Sequence, residues 1–374
     1  MIGVCRIMRE CVVLVIRTLT YKDIDRGEWS RLVQTSATGT WFQTPEAYEF
    51  FASQSELFKP FVVAISNDAS LSEAQHSINS SLQTLRAVCV GYVTLERNPI
   101  KQYFTRRAII NGGPALADDA TDEEVTTLLE AVKIENAKNI FYRNEPIYIE
   151  TRNFNDYSRW KGDFEKAGFS YQPHLNFHVD CTDIEQMWER LSENRKRQVR
   201  HVNGDSKFEI SNLRLDNIPV TEQDVREWYA ILSELYRTKV KTPLWPVEFF
   251  VEAYRQGVGQ FLLVRHEKKI IGGSMVVRDE KTVYEWFECG MNALSKEQYP
   301  SVMATYAGMC YAAEEGIGRY DMMGAGVPDV PYGVRDFKAE FGGKLVEHGR
   351  FLCVCEPILY KIGALAVRMI KKLN

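Results

Sequence analysis

The sequence predicts an α/β protein, α+β in its mixed sheets, in which one unit occurs twice in tandem. Three observations lead there. A chain of 374 residues exceeds what one core ordinarily holds and suggests about two domains. The order of strand-patterned and helix-patterned segments begins again after residue 202. Two short stretches also recur. "VGYVTLE" (Val90–Glu96) resembles "GGSMVVRD" (Gly272–Asp279), each with a glycine opening a strand, and "DFEKAGF" (Asp163–Phe169) resembles "DFKAEFGG" (Asp336–Gly343). The expected division is a first domain over 1–180 and a second over 181–374. A linker helix is expected at 182–202, and a last helix at 357–373 that packs back on the first domain.

In chain order, the apolar run Cys11–Ile16 is too short for a signal segment or a membrane span and reads as a strand over Val12–Leu19, in a protein expected to be cytoplasmic. A helix over Gly27–Thr35 precedes one around "TPEAYEFFASQ", where Thr44 caps and Pro45 takes the first position. "PFVVAIS" and "RAVCVGYVTLE" read as strands, and the polar 67–84 between them as a loop. Strand "RRAIINGG" leads to an amphipathic helix that Thr121 and Glu124 open as a capping box. Strand "PIYIETRN", a helix ended by Gly168 and strand "HLNFHVD" close the first half. The second half reads strand "KFEISNLRL", helices "EQDVREWYAILSELYR" and "PVEFFVEAYRQG", then a hairpin turning at Glu267–Lys269. Strand "TVYEWFECG", helix "PSVMATYAGMCYAAEEG", strand "RYDMMG", helix "RDFKAEFGG" and strand "GRFLCVCE" follow.

A net charge of −4 gives no overall attraction to nucleic acid or to anionic membrane, so any basic surface is local. Eight cysteines include no CxxC pair and read as buried free thiols of a reducing compartment; Cys353 and Cys355 fall on one face of a strand. The six histidines lack ligand spacing, and no metal is expected.

Several constellations can carry chemistry, each beside a plain structural reading. Tyr236, Arg237, Lys239 and Lys241 stand where a helix gives way to a Pro-bounded loop; Arg237 can grip a phosphate or carboxylate bidentately, or these cations simply complement the helix dipole. Strict alternation along "YEWFECG" puts Tyr284, Trp286 and Glu288 on one face and Glu285, Phe287 and Cys289 on the other. If the first face lines a cleft, Tyr284 bonds substrate and Glu288 serves as base; otherwise this is a half-buried structural strand. The basic run "NRKRQVRH" is either an RNA contact or a solvated helix face. The last helix aligns Ile362, Leu365, Ala366, Met369 and Leu373, with Lys361, Arg368, Lys371 and Lys372 beside them; it either rests on a membrane surface or docks on its own domain.

Four segments, "WFQTPEAYEFF", "RRAIINGGPAL", "YDMMGAG" and "VRDFKAEFGGKLVEHGRFLCVCEPILY", together with the repeated element order, resemble the Fem-type peptidoglycan aminoacyltransferases, whose fold is two tandem GNAT (acetyltransferase-like) domains. The last segment carries most, because a Phe-Lys just ahead of Phe-Gly-Gly marks that family. The resemblance implies transfer of an aminoacyl or other acyl group from an activated carrier, aminoacyl-tRNA in that family, to an amine of a cell-wall precursor. It implies that Phe337 and Lys338 meet the acyl donor, with Lys338 supplying a fixed positive charge to the oxyanion. Phe337 then stacks on the donor's terminal base, or is core like Phe164. It further implies an acceptor-binding arginine and tyrosine near Arg237 and Tyr284. No tightly bound cofactor is expected. The donor is a co-substrate, aminoacyl-tRNA or acyl-CoA, and tRNA and a membrane surface are the macromolecular contacts. The chain departs from the patterns in three places. Neither "GGPALADDATDEE" nor "MNALSKEQYPS" has the glycine pattern that cradles pyrophosphate in acyl-CoA users of this fold. No lysine near "WFQTPEAYEFF" matches the Fem acceptor lysine, and Gln223–Gly257 accommodates no long coiled-coil arm. A CoA-dependent N-acyltransferase and a non-catalytic envelope- or polysaccharide-related binding protein remain the alternatives.

Overall fold

The computed structural model describes residues 14–69, 84–137, 146–210, 218–293 and 295–373. The first half runs β1 (Leu14–Thr20), α1 (Arg26–Thr35), α2 (Pro45–Ser53), β2 (Phe58–Ala69), β3 (Thr84–Thr94), α3 (Pro99–Thr105), β4 (Ala108–Gly112), β5 (Ala115–Leu116), α4 (Asp122–Ala137), β6 (Tyr148–Asn153), α5 (Lys161–Lys166), β7 (Ser170–Gln172) and β8 (Leu175–Asp180). Helices α6 (Ile184–Arg190) and α7 (Glu193–Asn203) lead to the second half: β9 (Phe208–Ile210), α8 (Glu222–Leu235), α9 (Val247–Arg255), β10 (Gln260–His266), β11 (Lys269–Arg278), β12 (Thr282–Gly290), α10 (Pro300–Glu314), β13 (Arg319–Gly324), α11 (Gly333–Ala339), β14 (Lys344–Glu347), β15 (Arg350–Val354) and α12 (Pro357–Leu373).

Local chemistry explains most of this. Thr44 accepts from the Ala47 N–H with Pro45 in the first turn, and Thr121 and Glu124 exchange their capping bonds at 2.8 and 3.2 Å. β10 and β11 meet through Glu267 and Lys268, both at positive φ (51° and 65°), which suits the twist of a tight hairpin. The sequence reading missed α3, although Asn98 caps it from two N–H groups and Pro99 opens it. The expected single linker helix is two. Ser192 leaves the helical conformation and caps α7 from Arg195, so the chain turns there. Most of the loop expected at 67–84, the start of the strand expected at Val12–Leu19, the latter part of "KFEISNLRL", and Cys5 and Cys11 lie outside the described residues. The other six cysteines are free thiols, five of them buried and Cys355 exposed.

The two sheets exchange strands. The first has the order β1-β2-β3-β4-β6-β15-β7, with β5 on β3; the second is β14-β8-β13-β12-β11-β10-β9. Thus β8, expected to close the first half, pairs with β13 and β14, and β15 of the second half inserts between β6 and β7. A cut at residue 180 separates neither sheet cleanly. The halves are also joined by one aromatic core: Phe50 meets Phe249 at 5.3 Å, Phe58 meets Trp245 at 4.8 Å, and Phe42 meets Tyr284 at 5.6 Å. Such pairs each add about 0.5–1.5 kcal/mol beyond simple burial.

The "DFKAEFGG" segment is fixed by close approach. Arg195 lies over the rings of Phe337 and Phe341 at 4.6 and 4.9 Å, and Ser192 N–H donates to the Glu340 carbonyl. Gly342 has φ +74°, and a Cβ there would stand 2.2 Å from the Arg190 carbonyl oxygen. Rigid backbone on one side and left-handed φ on the other make Gly342→Ala costly: a loss of roughly 2 kcal/mol or more is expected in urea unfolding. Gly162→Ala, in open space, is the control.

Candidate functional site

The site is made at β12. On its partner β11 the register shifts between Met275 and Val276: Phe287 opposes Met275, Glu285 opposes Val276, and Trp286 is the extra residue. One inserted residue reverses the phase of all that follow. Tyr284, Phe287 and Cys289 therefore belong to the aromatic core between the halves. Glu285 and Glu288 face the other way, toward α10, where Glu285 accepts from Thr305 at 2.8 Å and from Tyr320 at 2.9 Å.

Beside it, β13 pairs with β12 only through Thr282–Arg319, Val283–Tyr320 and Tyr284–Asp321, after which the pairing stops. Met323 takes φ +61°, uncommon for a residue with a side chain, and its N–H is held by Asp321 Oδ1 at 2.7 Å. Lys338 of α11 secures the same backbone. Its Nζ donates to the carbonyls of Met322 and of Gly324, the latter at 2.9 Å, and the residue is 8% exposed.

A buried charge cluster surrounds this ammonium. Burial pulls the Lys338 pKa down, while Glu285, Asp321 and Glu288 oppose that pull. Burial, and then the neighbouring Glu285, push the Glu288 carboxyl up to about 8, and its Oε1 has no partner among the described residues. Burial also raises Glu285. Asp321 goes the other way: burial would raise it, but His178 at 3.3 Å helps hold it below the usual range.

Met323 and Gly324 are also part of the wall of a cavity of about 760 Å³ between the halves. The first half contributes Asn111, Arg107 and Arg152 to its lining; the second contributes Trp286, Phe287 and the Tyr236–Trp245 turn. Its size suits a small-molecule or peptide-end ligand. Among the described residues, no group of three or more His, Cys, Asp or Glu is placed to hold a metal.

Residues 193–339 match the family model described as an acetyltransferase (GNAT) domain. This stretch is similar in sequence to GNAT domains. The whole chain is similar in fold to FemX, at 12% identity over 92% of this chain and 99% of FemX, with a TM-score of 0.65. It is similar also to the C-terminal DUF2156 domain of a protein from Agrobacterium fabrum described as a lysylphosphatidylglycerol synthetase (12% identity, 92% and 94% covered, TM-score 0.51). L-PGS from Bacillus licheniformis gives 10%, 93% and 97%, and 0.50. At these identities the likeness is one of fold. No curated protein matches the sequence.

Between the two halves the expected site residues separate. Tyr236 lines the cavity, as does its loop neighbour Lys241. Arg237 and Lys239 point away; Arg237 is 72% exposed and bonds Glu234 at 2.7 and 2.9 Å. Tyr284, expected to bond substrate, is instead fully buried against Phe42 and Phe154 and donates to Asp279 at 3.0 Å. Glu288 does not share its face, because of the bulge. Phe337 packs under Arg195 rather than lining the cavity, and Lys338 lies behind the cavity wall. The basic run is largely consumed in structure. Arg195 and Lys196 are buried, Lys196 pairs with Glu189 and Glu193, and Arg200 covers Trp188 at 5.3 Å. Sequence reasoning missed Arg107, Arg152 and Arg350. The available signal was the polar alternation Tyr148, Glu150, Arg152 on a strand buried in mid-sheet.

Proposed function

We propose that this chain transfers an acyl group, an aminoacyl group in the first instance, from an activated ester to an amine seated in the cavity between its GNAT halves. The observation that carries the reading is the Met322–Gly324 backbone, held by Lys338 and exposing Met323 and Gly324 to that cavity. Attack of the amine on the ester carbonyl creates a tetrahedral oxyanion, and its collapse expels the carrier's oxygen, which ends with the proton the amine gives up. A preorganised positive charge in a dry wall strengthens as that oxyanion forms. In this reading Lys338 acts through the backbone it holds, as a positioning residue, and two of its three N–H donors are already committed. Tyr236 and Lys241 hold the acceptor. Arg237 and Lys239, exposed on the same turn, steer an anionic carrier; the exposed, solvent-screened Arg237–Glu234 pair is readily exchanged for phosphate.

Aminoacyl-tRNA is favoured over acyl-CoA by what already occupies the helix ends. At α10, the Ser301 N–H is taken by Asn292 Oδ1 at 3.3 Å. At α4, the first turn carries Asp122, Glu123 and Glu124, with Glu124 closing the capping box. At each end a protein side chain already takes one N–H, and at α4 the acidic first turn also repels a pyrophosphate. The test is incubation with a pool of labelled aminoacyl-tRNAs and, separately, with a set of acyl-CoAs, over amine-bearing peptidoglycan precursors and aminoacyl-lipid acceptors. Amine-dependent loss of label from tRNA is expected. Turnover of acyl-CoA alone would replace the donor, and turnover of neither would leave a binding protein.

Peripheral contact with an anionic membrane belongs to the same reading, with a lipid-linked acceptor. α12 rests on the first half through Tyr360 against Tyr148 at 5.5 Å, while Ile358, Ile362 and Leu365 are exposed, at 75%, 47% and 56%. Ile100, Tyr103 and Phe104 of neighbouring α3 are exposed too. The sequence of α12 has Lys361, Arg368, Lys371 and Lys372 and no acid. No helix among the described residues is long and apolar enough to cross a membrane, so this would be a surface contact. The double variant I362D/L365D is expected to abolish co-sedimentation with phosphatidylglycerol vesicles.

A further inference from the structure

The first-half wall of the cavity carries more positive charge than folding requires. Arg152 of β6 and Arg350 of β15 are direct cross-strand partners, brought together by the strand exchange. Like charges placed opposite each other cost stability. Glu150 relieves part of that cost, its Oε2 meeting Arg152 Nε at 3.1 Å and its Oε1 meeting Arg350 Nη1 at 2.9 Å. Burial would raise the Glu150 carboxyl, yet these two guanidinium groups hold it below its ordinary range. Arg350 also donates to His174 Nε2 at 3.0 Å, a ring that burial and Arg350 keep neutral, with its pKa lowered to about 4. Arg107, the third guanidinium lining the cavity, has Tyr148 OH only at 3.5 Å and forms no ion pair among the described residues. Three cations thus face one carboxylate.

A second, independent observation points to a ligand in the same place. Asn153 and Asn176 line this cavity at 2% and 4% exposure, and Asn153 Oδ1 and Asn176 Nδ2 have no partner among the described residues. Buried amide atoms left unmatched cost about 1–3 kcal/mol each. A ligand that accepts from Asn176 and donates to Asn153, while bearing negative charge for the arginines, relieves both costs together.

We propose that Arg107, Arg152 and Arg350 form an anion subsite that takes a phosphate or carboxylate of the acceptor. This rests on the reading of the cavity as the acceptor site and narrows the acceptor to an anionic amine. Arg107, with no ion pair to give up, makes the first contact, and Arg350 is set by Glu150 and His174 to present its remaining N–H groups. The opposite wall, with Tyr236, Trp245 and Trp286, takes the less polar remainder. The anion can come from a water-soluble precursor or from a lipid headgroup.

The experiment uses the full chain and needs no acyl donor. Inorganic pyrophosphate is titrated calorimetrically at low and high salt, and phosphatidylglycerol vesicles are titrated in parallel against neutral phosphatidylcholine vesicles. Saturable, salt-sensitive binding is expected, weakened about tenfold or more in Arg107→Gln and in Arg350→Lys. Arg31→Gln, at an exposed arginine of α1 paired with Glu28, is the comparison and should bind as the unaltered chain does. Because Arg107 forms no ion pair among the described residues, its variant leaves the Glu150 bonds to Arg152 and Arg350 in place and removes only a nearby charge; unfolding curves verify that the fold is kept. Loss of pyrophosphate binding identifies a soluble anion, and loss of vesicle binding alone identifies a headgroup. If neither ligand distinguishes Arg107→Gln from the unaltered chain, the subsite is refuted, even if acyl transfer to a neutral amine is found. If the subsite binds but no donor is ever consumed, the acyltransferase reading fails and the subsite stands.

Discussion

Lys338→Met is expected to lower the rate of acyl transfer by about 10²- to 10³-fold, a loss of the size seen when an oxyanion site loses one preorganised donor, because the backbone that Lys338 positions is released. The ammonium holds the carbonyls of Met322 and Gly324, which keeps Met323 in its left-handed conformation at the cavity wall. It also places a positive charge behind that wall, where little water screens it. Methionine retains most of the length and loses both effects. It also leaves Glu285, Asp321 and Glu288 without their shared counter-charge, so a stability loss of roughly 3–5 kcal/mol at neutral pH is expected alongside. The two consequences are separated by measuring single-turnover rates well below the melting transition and by comparison with Lys338→Arg. Arginine keeps the charge but cannot reproduce the compact cap on two carbonyls, so it should recover stability more than rate. A folded Lys338→Met enzyme working at the unaltered rate would show that the chemistry lies elsewhere.

What the sequence made legible was local, and what it concealed was tertiary. Thr44, Thr121 and Gly168 announce helix ends through chemistry confined to a few neighbours, and the recurrence of element order follows from such signals. Strand exchange has no such marker. β8 and β15 are apolar strands whatever sheet they join, and only packing decides that one crosses in each direction. The bulge at Trp286 was hidden for a related reason. "YEWFECG" alternates perfectly on paper, and the inserted residue shows only when β11 is laid against it. That single residue moved Glu288 from the side of Tyr284 to the side of Glu285 and Lys338. The arginine site is further still from local reach, since Arg107, Arg152 and Arg350 come from three segments and meet only after β15 has inserted. Lys338 was singled out by a resemblance; its burial and its carbonyl partners could not have been read from the chain.

Glu288 makes the stability of the protein depend on pH in a direction opposite to that of an ordinary surface carboxylate. Its carboxyl is pushed from the usual 4.5 up to about 8 by burial and by Glu285, and only partly drawn back by Ser301 and Lys338. Between those two pH values the native state holds a proton that the unfolded chain has released. By linkage the resulting stabilisation is complete below the unfolded pKa and is lost as pH rises through about 8, where the native carboxylate must form beside Glu285 in a poorly solvated place. Glu288→Gln keeps the shape and the neutral form at every pH. The variant is therefore expected to melt near the unaltered protein at pH 5 and several degrees above it at pH 9, on the order of 2–4 °C per kcal/mol for a chain of this size. Taking the difference between the two proteins at each pH cancels the titrating groups that do not interact with position 288, while Glu285 and Lys338, which do, contribute to it. Melting curves at half-unit pH steps from 5 to 9 decide the matter. A difference that stays flat would mean that Glu288 is ionised throughout, with its partnerless oxygen reached by water, and the buried cluster around Lys338 would then carry a full extra negative charge during catalysis.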